Sequence, residues 1–222
     1  SKRGGFPLRY HVDGDGRVER SRRAFREALA RYGAPDELFA QLDVFDKMGD
    51  QFGELLEGAP HKQYLADGDV VEVGGRRLEV LYTPGHNKAH LCYLDRAAGT
   101  IITGDVLLPD ITPNPLPHFD PDAPRGRQGS LALFRESLAR LVALGSLHGM
   151  GGHGPEMPDT AEVARHSLAA AERRSAQVLD LCRANPGATL FALGDLLFKE
   201  PTGLGRTLAF SEILAHCDYL EA

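Results

Sequence analysis

Three polar loops, each directly after an apolar stretch, constrain this sequence most. Residues 78–82 (LEVLY) have the composition of a buried strand, and the loop 83–90 (TPGHNKAH) follows them. A second apolar stretch, 100–103, leads into Gly104 and Asp105, and a third leads through Gly151 and Gly152 to His153. Each predicted strand therefore ends beside a glycine and a residue that can bind a metal.

The residue types in these loops favour metal chemistry. Imidazole and carboxylate groups are common ligands of zinc and similar ions, and a carboxylate can bridge two ions through its two oxygens. Two bridged ions can activate water and polarise a scissile group. Glycine allows the tight backbone turns that such loops need. Each loop alone is typical of an ordinary turn, but their shared context predicts the site of a metal-dependent hydrolase.

The order of the motifs is Asp67-Gly68-Asp69, TPGHxxxH at 83–90, Thr-Gly-Asp at 103–105, a helix, and then Gly-His-Gly-Pro at 152–155. With this order the chain resembles the metallo-β-lactamase-fold hydrolases over about residues 60–160. It is most similar to the branch that includes the β-lactamase-like protein 2 group, and more distantly to glyoxalase II.

The resemblance implies an α/β fold, an αββα sandwich with a dinuclear metal site along one edge of the sheets. It implies that His86 binds one ion, that His153 binds the other, and that Asp105 bridges them and takes part in catalysis. Two zinc ions are expected, with iron or manganese as alternatives, and no other cofactor site is assigned. His90 is expected to support the site rather than to bind metal.

The sequence departs from the family at its start. The motif His-x-His-x-Asp-His, which normally supplies four further ligands, is not present in it. The only early cluster of the right residue types, 11–15 (HVDGD), has the wrong spacing and is typical of a turn. We therefore expect a fold that is incomplete at the N-terminus.

The resemblance implies two domains. Residues 1–160 form the metallo-β-lactamase-like part, with a helical insertion at 20–57, and residues 161–222 form a helical extension that resembles a small winged helix. Residues 105–129 hold six prolines and have no periodicity, which is typical of a long functional loop.

The net charge and the hydropathy of the sequence indicate which partners and which cellular location to expect. The formal net charge of -6 argues against a nucleic-acid partner, and no apolar run reaches the roughly 20 residues of a membrane span. The start of the sequence has no signal-peptide pattern, and the three cysteines form no Cys-x-x-Cys pair. We expect a cytoplasmic protein with reduced thiols and a small-molecule substrate, whose oligomeric state is left open.

The expected function is hydrolysis of an ester, thioester or similar bond of a small molecule by a metal-bound hydroxide. One alternative is a truncated or degenerate family member that binds no catalytic metal and serves as a structural or interaction protein. Another is a ribonuclease that cleaves RNA phosphodiesters. A third, regulatory binding of nucleic acid through residues 161–222, is disfavoured by the acidic last helix.

Overall fold

The computed structural model of the chain describes residues 17–57, 64–120, 123 and 125–222. The early cluster at 11–15 lies outside these residues. The helices are α1 (Arg17–Arg31), α2 (Asp36–Glu57), α3 (Ser130–Ala143), α4 (Thr160–Ala184), α5 (Leu190–Phe198) and α6 (Leu204–Leu220). The strands are β1 (Val70–Val73), β2 (Arg76–Tyr82), β3 (Leu91–Asp95), β4 (Thr100–Gly104), β5 (His118–Phe119), β6 (Arg127–Gln128) and β7 (His148–Gly151).

Five of the strands form one mixed sheet in the order β1-β2-β3-β4-β7. The pairs from β1 to β4 are antiparallel, whereas β7 lies parallel to β4. Two antiparallel steps separate β2 from β4, so β2, β4 and β7 run in the same direction. Their carboxyl ends therefore meet at one edge of the sheet, which is where ligands bind in many α/β folds.

The helix α3 returns the chain from β6 to β7 and covers one face of the sheet. Its buried residues Leu131, Phe134, Leu138 and Leu141 pack with the inward side chains of the strands in one core. The spacing of these four residues is that of a single helix face, so the amphipathic pattern selects both the helix and the face it buries. Small residues of α4 and α6 complete the same core.

Two helices of the C-terminal part begin with a side-chain cap. The side chain of Asp159 accepts a hydrogen bond from the backbone N–H of Glu162 at 3.0 Å, at the start of α4. Thr189 accepts one from the N–H of Ala192 at 3.2 Å, at the start of α5. Each cap satisfies an N–H group that the first helical turn leaves without a partner.

The expected α/β class with a helical C-terminal part is confirmed, and α1 and α2 form the expected helices of the region 20–57. The described residues contain one large sheet and the two-stranded β5–β6 ribbon, so the second sheet of the sandwich stays a prediction. In residues 160–222 no strand accompanies α5 and α6, and the winged-helix assignment and the domain boundary at 160 also stay predictions.

Among the described residues, no helix is long and apolar enough to cross a membrane. The cytoplasmic location stays a prediction.

Aromatic packing joins the C-terminal helices to α1. Phe210 of α6 is completely buried and stacks on Phe191 of α5, with ring centroids 4.7 Å apart. The ring of Tyr32, just after α1, is tilted against that of Phe210, with ring centroids 6.0 Å apart. This cluster connects parts of the chain that are far apart in sequence.

Replacing Phe210 with alanine should therefore lower the free energy of unfolding by about 3–5 kcal/mol, because a large cavity opens between three elements. Urea unfolding followed by circular dichroism measures this change. Leu208→Ala on the same helix is the matched control, since Leu208 is 40% exposed and should cost only about 0.5 kcal/mol. Equal losses in the two variants would contradict the assigned core.

Candidate metal centre

Three predicted ligands meet at the edge where β2, β4 and β7 end. Nε2 of His86 lies 4.0 Å from Oδ2 of Asp105, and Nε2 of His153 lies 4.0 Å from Oδ1 of the same carboxylate. The two histidines thus face different oxygens of one aspartate. This is the arrangement that a bridging carboxylate requires.

The ring of His86 is oriented by the long loop after β4. Its Nδ1 lies 2.9 Å from the backbone carbonyl of Asn114. A carbonyl only accepts, so Nδ1 carries the proton and Nε2 keeps its lone pair toward Asp105. Metal-binding histidines are commonly fixed by such a hydrogen bond from the other ring nitrogen.

The loop that carries His86 is held against α3. Ser137 donates a hydrogen bond of 2.7 Å to the carbonyl of Pro84. Gly85 has φ +136°, and a Cβ at this position would overlap the backbone of Phe134. Glycine is therefore required both by the backbone conformation and by the close approach of the loop to the helix.

Asp105 is positioned by the neighbouring loop after β7. The N–H of Gly152 donates to the carbonyl of Gly104 at 2.9 Å, which joins the two strand ends. Gly152 lies so close to Asp105 that a Cβ on it would overlap Oδ1 of the carboxylate. The absence of a side chain at 152 thus leaves the space in which the carboxylate sits.

His90 supports the site through a chain of hydrogen bonds. Nε2 accepts from the backbone N–H of Asp105 at 3.2 Å, so the ring proton lies on Nδ1, which donates to Oγ1 of Thr83 at 3.0 Å. The Thr83 hydroxyl then donates to Sγ of Cys92 at 3.2 Å, and this thiol points to the carbonyl of Thr103. Burial lowers the pKa of His90 to about 4, which keeps the ring neutral.

This geometry agrees with the expected supporting role of His90. Both of its ring nitrogens are hydrogen-bonded to protein groups.

A second neutral histidine lies near the site on β5. Burial, then the charge of Lys88, lowers the pKa of His118 to about 4. Its Nε2 is buried and has no hydrogen-bond partner among the described residues. The sequence offered no signal for this residue, because its approach to His86 depends on the path of the long loop.

The sequence likewise gave no signal that Asn114 orients His86. The prolines of residues 105–129 predicted a long functional loop, but the group that orients His86 is a backbone carbonyl, which every residue carries. His166, in contrast, is exposed on α4.

The donors fit part of a metal site. Oδ1 of Asp105 is a buried oxygen without a hydrogen-bond partner in the described part of the chain, and His86 has the tautomer of a ligand. However, no group of three or more His, Cys, Asp or Glu side chains that could hold an ion occurs among the described residues. Each end of the site supplies two protein donors, one imidazole and one carboxylate oxygen, and the ligand roles stay a prediction.

Comparison with known proteins identifies a family. The family model of the metallo-beta-lactamase superfamily matches residues 8–177. The chain is 29% identical over 122 residues to an atrochrysone carboxyl ACP thioesterase of Aspergillus fumigatus, covering 54% of this chain and 34% of the relative. It is 34% identical over 95 residues to a hydroxyacylglutathione hydrolase of Aeromonas hydrophila, covering 42% of this chain and 32% of the relative. The chain thus spans about a third of the length of these curated relatives.

A solved structure is similar over most of the chain. It is a metallo-beta-lactamase family protein from Thermus thermophilus, with a TM-score of 0.72 and 28% sequence identity. The match covers 93% of this chain and 60% of the other.

The space beside Gly152 yields a direct test of the site. Gly152→Ala should displace the Asp105 carboxylate and weaken zinc binding by about 10–100-fold, the usual effect of disturbing the support of a ligand. Competition with a chromogenic chelator measures the affinity. Gly129→Ala is the matched control, because no atom lies within 4 Å of a Cβ at that position. Equal zinc affinity in the two variants would show that this contact does not position the carboxylate.

Proposed function

The chain belongs to the metallo-beta-lactamase superfamily, and we propose that it is a metal-dependent hydrolase that cleaves a thioester of a small organic acid. The observation that carries this proposal is the placement of His86 and His153 against the two oxygens of Asp105. Members of the superfamily bind metal ions, and these three side chains are the candidates to hold them here.

The bound ions would lower the pKa of water and polarise the acyl carbonyl group. His86 and Oδ2 of Asp105 would hold one ion, and His153 and Oδ1 of Asp105 would hold the other. Zinc is the proposed metal, because imidazole and carboxylate ligands suit it.

The protein's own contribution is to hold these donors in place. The Asn114 carbonyl fixes the tautomer of His86, and the N–H of Gly152 fixes the strand end before Asp105. His90 engages the backbone N–H of Asp105 and remains neutral, so it adds no positive charge beside the site. Such preorganisation reduces the rearrangement needed during reaction.

The thioester is favoured over other substrates by the relatives and by charge. A thioesterase and a hydroxyacylglutathione hydrolase are among the similar proteins. A formal net charge of -6 disfavours a polyanionic RNA substrate, since RNA affinity depends strongly on positive charge. A small molecule is therefore preferred over the ribonuclease alternative.

A second candidate is a family member that binds no catalytic metal and acts by interaction. It is favoured by the limited donor set, since the described residues contain no group of three or more potential ligands that could hold an ion. Metal content distinguishes the two candidates. Purified protein with less than about 0.2 zinc, iron or manganese ions per chain would support this second candidate, because the hydrolytic mechanism requires bound metal.

His86→Ala and Asp105→Ala should each lower both bound zinc and thioester hydrolysis by at least about tenfold, because each removes a donor. Elemental analysis gives the zinc content, and an acyl-glutathione thioester, assayed beside its oxygen-ester analogue and an RNA oligonucleotide, gives the activity.

The matched control is His166→Ala, which removes an exposed imidazole on α4. It should keep the zinc and the activity of the unmodified protein. Unchanged hydrolysis in both site variants would refute the assignment, and cleavage of RNA alone would replace the proposed substrate.

A further inference from the structure

A cavity of about 250 Å³ lies between α3, α4, α6 and the segment 111–115. Pro113 and Pro115 are buried and line it, while the Asn114 carbonyl between them faces His86. The amide of Asn114 donates to the backbone carbonyl of Leu208 at 2.7 Å, which attaches this segment to α6. The segment is thus a wall shared by the cavity and the metal centre.

Part of the cavity wall is apolar. Leu131 and Phe134 of α3 are buried there, and Ala170 and Ala171 of α4 leave room opposite them because their side chains are small. Ile111, 56% exposed, lies at the rim. The volume is below the roughly 300–1,000 Å³ of pockets for drug-sized molecules, so the occupant has on the order of ten non-hydrogen atoms.

Polar side chains gather at one end of the cavity. Arg174 pairs with Glu212 at 2.8 Å, and His216, which is 2% exposed, is hydrogen-bonded to Ser175 at 2.9 Å. An apolar pocket with a few convergent polar groups is the usual form of a small-molecule site.

Both arginines near this end of the cavity are paired with glutamates. Burial, then the charges of Arg174 and Arg135, lowers the pKa of His216 to about 4. Nη1 of Arg135 is buried without a hydrogen-bond partner among the described residues. Burial also raises the pKa of Glu212, the one carboxylate that lines the cavity. Arg135 does not line the cavity, and its Nη2 pairs with the exposed Glu172 at 2.9 Å. Arg174 does line it, so the carboxylate group of a ligand would compete with Glu212 for Arg174.

We propose that this cavity binds a small monocarboxylate, whose apolar body lies against Leu131 and Phe134 and whose carboxylate group meets Arg174. None of the candidate metal donors lines the cavity, so the inference concerns binding and does not depend on the proposed hydrolysis. The occupant would contact the two prolines on either side of the residue that orients His86.

The test is a titration of the purified protein with hexanoate, followed by two-dimensional ¹H–¹⁵N NMR. Saturable shifts are expected for residues of the segment 111–115 and of α4. Hexanamide, which has the same shape but no charge, should bind at least about tenfold more weakly. Equal affinity for the two compounds would overturn the assignment of a carboxylate, and no saturable shift with hexanoate would overturn the site.

Substitutions of two adjacent alanines test where hexanoate binds. Ala170→Leu fills the cavity and should weaken hexanoate binding by at least about tenfold, whereas Ala169→Leu adds the same volume on the exposed side of α4 and should leave it unchanged. Equal affinities in the two leucine variants would place the ligand elsewhere.

Glu212→Gln tests the charge without adding volume. It removes the carboxylate that occupies Arg174 and should tighten hexanoate binding several-fold. Weaker binding would contradict the proposal.

His86→Ala separates this inference from the proposed function. That variant should lose thioester hydrolysis and keep the hexanoate affinity within about threefold. Loss of hexanoate binding in His86→Ala would assign the ligand to the metal centre instead of the cavity.

Discussion

The parallel pairing of β4 with β7 is the interaction on which the candidate metal centre depends. It is the only parallel pair among the described strands, and it follows from the passage of the chain through α3 between them. A parallel pair requires such a crossover, and the crossover helix then covers the sheet. The same helix that allows the pairing also holds the His86 loop through Ser137. The helix α3 therefore determines both the packing on this face of the sheet and the position of the His86 loop.

The positions of the three candidate ligands could be predicted from local sequence, whereas their supports, apart from His90, could not. His86, Asp105 and His153 each follow an apolar strand and stand beside glycine, a pattern that neighbouring residues determine. Asn114 acts through its backbone carbonyl, and His118 reaches the site through the course of the 105–129 loop. Contacts of this kind depend on residues distant in sequence, so periodicity and turn chemistry carry no signal for them. The cavity beside α4 escaped prediction for the same reason, since three helices and a loop define it.

The C-terminal helices are structurally part of the surroundings of the site. Asn114 orients His86 with its carbonyl and binds the carbonyl of Leu208 in α6 with its amide. Arg127 of β6 forms a hydrogen-bonded ion pair with Asp218 near the end of α6. Two residues of the segment 105–129 are thus tied to the same helix. A displacement of α6 would reach His86 through a single residue.

A buried carboxylate oxygen without a partner indicates what the site is built to accept. Leaving a buried acceptor unsatisfied costs about 1–3 kcal/mol, and more when the group is charged. Oδ1 of Asp105 is such an acceptor among the described residues, although Gly152 beside it donates its N–H to Gly104 instead. His153 and His86 face the two oxygens at 4.0 Å, too far for a hydrogen bond. A cation between each pair of donors would offset the cost of burying this one oxygen of a carboxylate that is otherwise partly exposed.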